Sequence, residues 1–291
     1  DKFRFVGNGP GEYNKIDFFD INRKLETFEI YDVRKGTIFR YDLFGNFQKA
    51  LRVTLICRDF KITEEGNYLF YSPDEQNNFN NTLSLKPGVI HVSGDGSFAK
   101  PILSLGDSNF PPLLASRSFV NFDKEIYLFS NYSDTVFQIS DDKITNRYLM
   151  DYGVGNRVEE NNITSSNFNF GNTDFPFLKL NPMVTDKFIG YTFMYRGKDK
   201  SLLIDRSNLK AEIYRGIIND IDSGFFVLNG STINKNIYVS YLTSEMADAY
   251  SQYLYKEKSG KPDSSSYRLS ALIEQMKMNN ENPILVKGNL K

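Results

Sequence analysis

The sequence predicts an all-β chain built as a β-propeller of four-stranded antiparallel blades. Three observations predict it. Short runs that alternate apolar and polar residues, bounded by Gly, Asn and Asp, recur along most of the chain. Comparable points in successive groups of four runs lie about 50 residues apart, in the range of propeller blades. Aromatic residues reach 15%, as 25 Phe and 18 Tyr with no Trp, a bias that suits pleated, half-buried surfaces. A lone four-stranded meander cannot bury both of its faces, whereas radial stacking of several does. A sandwich would also use short strands, but would not produce a near-regular unit.

The elements follow in order. The first module reads as Ile16–Asp20, Thr27–Tyr31, Thr37–Tyr41 and Phe47–Leu51, with Asp42-Leu43-Phe44-Gly45-Asn46 as its last turn. The second reads as Phe60–Thr63, Tyr68–Tyr71, Val89–Ser93 and Phe98–Leu103, its middle turn swollen by a polar insertion from Ser72 to Ser84. The third reads as Ser118–Phe122, Ile126–Ser130, Val136–Ser140 and Ile144–Met150. Glu64-Glu65-Gly66-Asn67 and Asp123-Lys124 occupy matching turns between first and second strands.

A fourth module is looser. After the Asn-rich stretch Asn156–Asn172, only Phe188–Tyr195, Ser201–Asp205 and Lys210–Tyr214 read as clear strands. A fifth begins with Phe225–Leu228 and Asn236–Tyr241. The period then changes from 2 to about 3.6 residues, predicting a short helical insertion over about residues 244–280. Met246, Tyr250, Tyr253 and Leu254 share one helical face, and Leu269, Leu272, Ile273 and Met276 another. Pro283–Val286 reads as a final strand. The expectation is a single propeller domain over residues 1–291, with Asp1–Val6 one strand ahead of the first full module.

Composition excludes several classes. With 35 basic against 36 acidic residues, no electrostatic footprint for nucleic acid exists. No apolar run approaches the ~18 residues of a membrane span. The lone Cys57 excludes an internal disulfide.

The block Gly7-Asn8-Gly9-Pro10-Gly11-Glu12-Tyr13, followed by strands, Asp32 and Asp42-Leu43-Phe44-Gly45-Asn46-Phe47, resembles a family of bacterial six-bladed β-propeller proteins. The Glu281-Asn282-Pro283-Ile284-Leu285 ending is similar to that family's as well. These are secreted or lipid-anchored proteins, related in architecture to NHL-repeat and TolB-like propellers. The resemblance implies six blades where five modules are countable, and hence a chain lacking N-terminal sequence. It implies an extracytoplasmic location, in the periplasm or at the cell surface, with any lipid anchor outside this sequence. It implies no reaction.

Motifs that suggest chemistry fail on their own requirements. A dinucleotide fingerprint needs Gly where Glu12 stands and a helix after it, and strand pattern follows Tyr13. Gly106-Asp107-Ser108-Asn109 looks like an esterase nucleophile block, but His91 is the only His and lies upstream. A His-based metal site needs more ligands than one His and one Cys supply, and no Asp-x-Asp-x-Asp-Gly calcium loop occurs. A Cys57–His91 dyad is set against the usual state of a lone Cys, buried and inert. No cofactor is expected.

Propeller ligands commonly sit at the mouth of the central channel, near loops leading into the innermost strands. Here those loops carry Glu12, Tyr13, Arg58, Asp59, Arg117 and Asp222. Convergent polar groups around one axis suit a glycan, peptide or protein ligand. The competing reading is ion pairing between blades. The expected function is therefore a non-catalytic extracytoplasmic binding or scaffold propeller. The alternative is a carboxylate-based glycoside hydrolase or lyase at the channel mouth, which needs only two suitably spaced acids. Oligomeric state is not encoded in these patterns.

Overall fold

The computed structural model describes residues 6–105, 117–131, 133–152, 175–214, 231–234, 237–242 and 284–289. The helical insertion near 244–280, the Phe225–Leu228 strand, Asp222 and the Gly106–Asn109 block lie outside the described residues. Every described element is a strand. The chain divides into two compact units, residues 1–179 and 180–291.

The first unit holds three four-stranded antiparallel sheets. The first is a plain meander of β1 (Phe18–Asn22), β2 (Thr27–Asp32), β3 (Thr37–Asp42) and β4 (Phe47–Arg52). The second joins β5 (Asp59–Ile62), β6 (Tyr68–Ser72), β9 (Gly88–Val92) and β10 (Ala99–Ser104). The third is β11 (Phe119–Phe122), β12 (Glu125–Phe129), β13 (Thr135–Ser140) and β14 (Lys143–Leu149).

The polar insertion in the second sheet folds as its own hairpin, β7 (Asn77–Phe79) and β8 (Leu83–Leu85). Its turn has Asn80 and Asn81 both at positive φ, with the Thr82 N–H donating to the Phe79 carbonyl. Such a primed turn matches the twist of the strands it joins, and Asn tolerates it. The hairpin puts Phe79 and Leu85 into the core beneath it.

Burial explains why these sheets stack. All five residues of β6 and all five of β9 are buried. A strand buried on both sides reads as a continuous apolar run rather than an alternation. One face of the second sheet carries Phe60, Ile62, Tyr68, Phe70, Ile90 and Val92 against Tyr31, Ile38 and Leu51 of the first. Its other face carries Leu69, Tyr71 and Val89 against Phe119, Leu128 and Phe137 of the third. The first core is aromatic: the Phe70 ring meets Tyr31 edge-on at 5.0 Å and packs at 5.2 Å from Phe60. Fully burying one such side chain contributes about 1.5–3 kcal/mol.

The first strands β1, β5 and β11 are neighbours along this stack. The fourth strands β4 and β14 are exposed along most of their length. Each sheet thus runs from an inner strand to an outer one, as in a propeller blade.

The second unit holds a fourth sheet of β15 (Phe177–Val184), β16 (Phe188–Tyr195), β17 (Lys198–Asp205) and β18 (Ala211–Tyr214); β15 begins just before the unit boundary. Met183, Val184, Ile189 and Tyr191 are fully buried in it. The sequence reading lacked β15. Pro182 argues against a strand there, and positive φ at Leu178 and Asn181 breaks the period-2 pattern. A fifth sheet of three strands joins β19 (Ser231–Asn234), β20 (Ile237–Leu242) and β21 (Ile284–Asn289). The final strand therefore pairs with the fifth module.

Candidate functional site

The inner strands of the first unit offer two ends. At the leading ends, where β1, β5 and β11 begin, lie five of the six residues singled out from sequence. Three of them, Glu12, Arg58 and Asp59, are hydrogen-bonded within the protein.

Glu12 closes its own loop: its Oε2 accepts from the Gly9 N–H at 2.8 Å. The Lys35 ammonium donates to the carbonyls of Gly7 and Glu12, each at 2.7 Å, and the Tyr41 hydroxyl donates to that of Gly11 at 2.7 Å. Gly11 has φ +76° and an added methyl would stand 2.5 Å from the Phe47 ring, so only Gly fits. Tyr13 is buried with Ile30, Phe39 and Tyr41. The glycine block is thus a clip fastening the chain onto the first sheet. Burial, with Tyr13 and Glu12 nearby, pushes the Tyr41 hydroxyl up to about 12.

Arg58 pairs with Asp74, the guanidinium approaching both carboxylate oxygens at 2.5–3.2 Å. Asp59 is buried, and its Oδ2 accepts from the N–H groups of Ser118 at 2.6 Å and Phe119 at 2.7 Å. One carboxyl at the start of β5 therefore pins the start of β11. Burial pushes it above the ordinary carboxylate range, against the pull of those N–H donors. Arg117 is exposed beside this lock. Arg58, Asp59 and Arg117 are brought to one seam, between the second and third sheets, while Glu12 is held in its own loop.

The trailing ends, where the same strands finish, form a small cleft. It is lined by Ile21 and Arg23 after β1, Ile62 and Thr63 after β5, and Asn121 and Lys124 at the end of β11, among others. Its volume is ≈ 20 Å³, room for one water-sized group. Asn121 Oδ1 is buried there with no hydrogen-bond donor from the protein. Three carboxylates also line it, Glu64, Asp123 and Glu125; Glu64 stands 3.8 Å from Arg23, and Glu125 accepts from Gln138. Asp20 ties the walls together, accepting from the Ile62 N–H at 3.0 Å and the Lys61 ammonium at 3.1 Å. The sequence reading missed this cleft because it followed only the loops leading into inner strands. The signal was present in the matching charged turns after them, Glu64-Glu65 and Asp123-Lys124.

The Cys57–His91 dyad does not form. Cys57 lies in the core between the first and second sheets. His91 is the cross-strand partner of Leu69, which packs toward the third sheet, so it projects from the opposite face. Burial pushes the Cys57 thiol well up, away from a reactive thiolate. Among the described residues, no group of three or more His, Cys, Asp or Glu side chains is arranged to hold a metal ion. Among them, too, no helix is long and apolar enough to cross a membrane.

No curated protein sequence matches the chain. Among solved structures, it is similar to the "Putative exported protein" of Bacteroides fragilis NCTC 9343, at 14% identity and a TM-score of 0.63, over 98% of this chain and 80% of that one. A streptogramin B lyase follows at 12% identity and a TM-score of 0.37, over 74% and 58%. The virginiamycin B lyase of Staphylococcus aureus follows at 12% and 0.23, over 76% and 89%. The two lyases are too distant in structure to carry an argument; the first similarity is one of fold. The family of this chain is given by a match over residues 1–289: it belongs to the proteins described as domain of unknown function DUF4934.

Proposed function

We propose that the protein is a non-catalytic binding module outside the cytoplasm, a propeller whose ligand docks at the trailing mouth of its inner strands. The observation that carries this reading is the cleft around Asn121. A buried side-chain acceptor without a donor favours an incoming hydroxyl or N–H group, because an unmade hydrogen bond in such a place is costly. Ile21, Ile62 and Ile126 give the cleft an apolar part, while Arg23, Lys124, Glu64, Asp123 and Glu125 make the rest of its lining charged. The volume admits one such group, so the rest of the ligand would lie across the rim. A glycan, with many hydroxyl donors on an apolar ring, suits this arrangement better than a peptide.

The remaining parts of the reading belong to the same proposal. A count of six blades rests on the resemblance in sequence alone. The kinship with NHL-repeat and TolB-like propellers rests on the resemblance in sequence. Export is supported by that resemblance and by the fold shared with a protein named as exported. The leading mouth, with Arg58 and the exposed Arg117, is the second place where a ligand would touch. A hydrolase reading is not favoured, because hydrolysis needs a pair of available carboxyls and two of the three at the cleft, Glu64 and Glu125, already have partners.

The test is a glycan and peptide array probed with the wild-type protein, Asn121→Ala, Arg117→Ala and Glu12→Ala. Loss with Asn121→Ala and retention with Arg117→Ala is the expected result. The reverse pattern would move the site to the leading mouth. Binding indifferent to all three, or no binding at all, would remove the proposal.

A further inference from the structure

The only His in the chain occupies an unusual position. His91 sits on β9, inside the contact between the second and third sheets, and is 6% exposed. Neither ring nitrogen has a hydrogen-bond partner. The nearest carboxylate oxygen, Oδ1 of Asp141, is 3.9 Å from Nε2. That oxygen is already occupied: it accepts from Thr63 Oγ1 at 2.8 Å and from Asn67 Nδ2 at 3.0 Å. These bonds fasten the β13–β14 turn of the third sheet to the β5–β6 turn of the second. Thr63 also lines the trailing cleft.

The charged groups around the ring come from each packed element. Asp141 and Asp142 lie on the β13–β14 turn, with Lys143 opening β14 beside them. Lys100 is the cross-strand partner of His91 on β10, and its ammonium pairs with Asp142 at 2.5 Å. Asp142 is thus committed to Lys100, and Lys100 repels a charged ring. Among the described residues, the acceptor within reach of an imidazolium is Asp141.

We propose that His91 is an acid-sensitive latch: its protonation draws Asp141 off Thr63 and Asn67, loosening the seam between the second and third sheets and altering the cleft wall at Thr63. A neutral ring leaves the Asp141 bonds intact. A charged ring in this buried place must gain a partner, and the 3.9 Å gap closes only if the Asp141 turn shifts.

Linkage sets the direction of the pH effect. Burial lowers the folded pKa of His91 below its ordinary value of about 6.5, outweighing the attraction of Asp141 and Asp142. The folded state therefore binds the proton less readily than the unfolded one. Stability is intact above about pH 6.5 and falls as pH drops from there toward the folded value.

The latch is tested on the whole chain, prepared without a His tag so that one imidazole signal remains. The His91 Cε1–H resonance is followed by NMR from pH 8 to 5, alongside amide hydrogen exchange at Thr63–Asn67 and Asp141–Lys143. The expected midpoint lies below 6.5, and protection at both turns is lost as pH falls through that midpoint. In His91→Gln, protection should be flat over the same range. A midpoint at or above 6.5, or an unchanged pH response in His91→Gln, would overturn the latch. Asp141→Asn gives an independent reading: without the carboxylate, the His91 midpoint should fall further, and a midpoint that does not move would overturn it as well. None of these readouts depends on a ligand, so the latch and the proposed binding site stand or fall separately.

Discussion

Replacing Asp59 with Ala separates a seam residue from a ligand contact. Its Oδ2 takes the N–H groups of Ser118 and Phe119, which are 2% and 4% exposed. Truncation leaves both donors buried and unpaired, at about 1–3 kcal/mol each. Part of that loss is offset, because the carboxyl itself is held above its ordinary range by burial. These two stranded donors, with the adjacent Phe60 N–H that Oδ1 accepts, less that offset give an expected destabilisation of about 2–4 kcal/mol at pH 7. At about 2–4 °C per kcal/mol for a unit of this size, the melting temperature falls by roughly 5–15 °C. The assay is urea unfolding followed by far-UV circular dichroism. The pH dependence adds a second check. A carboxyl whose folded pKa is raised contributes most below its unfolded value, and that contribution declines as pH rises through the folded value. The gap between wild type and Asp59→Ala should therefore widen on the acid side. A variant within about 0.5 kcal/mol of wild type would refute the seam argument, since surface changes stay within that range.

Three further substitutions test other joints. Glu29 is fully buried, accepting from Asn22, Thr27, Arg40 and Tyr68, and it joins the first sheet to the second. Glu29→Gln leaves the Arg40 guanidinium its bonds to Tyr68 and Gly94 but removes its counter-charge, and should cost about 3–5 kcal/mol in urea unfolding; a loss under ~1 kcal/mol would show the network is dispensable. Gly11→Ala meets the Phe47 ring at a positive φ and should lower stability by about 2 kcal/mol or more, measured as a melting shift. Tyr71→Phe removes a 2.7 Å bond to Ser130 Oγ between the second and third sheets, for about 0.5–1.5 kcal/mol in the same assay.

The fold was legible where local pattern and tertiary role agree. The first three sheets follow the strand runs read from sequence to within about two residues, because each run is bounded by a turn with its own chemistry. The Asp42 carboxylate, accepting from the Phe44 and Asn46 N–H groups, is one such turn. The pattern failed where a strand breaks its own period. β15 contains Pro182 and two residues at positive φ, so it looks like loop in one dimension and pairs only because β16 lies beside it. The β7–β8 hairpin was missed for a different reason. Asn77-Asn78-Phe79 is polar by composition, and a primed Asn-Asn turn is the one local mark it carries.

The site was less legible than the fold, and the reason is physical. A charged residue just ahead of an inner strand has two uses that look the same in sequence. It can face a ligand, or it can satisfy the backbone N–H groups that the next sheet leaves bare where its first strand begins. Asp59 serves the second use, and its partners are some 60 residues away in the chain, at Ser118 and Phe119. Asp20, within β1, ties the next inner strand at its other end, accepting from the N–H of Ile62, the last residue of β5. Stacked sheets need such acceptors at every seam, so polar residues at strand ends are expected whether or not anything binds. What distinguishes a functional position is a polar atom left over once the seams are satisfied. Asn121 Oδ1 and the two ring nitrogens of His91 are such atoms. Both residues lie on strands whose sequence reads as structural, Phe119–Phe122 and Gly88–Val92, and only the arrangement of the sheets leaves them bare.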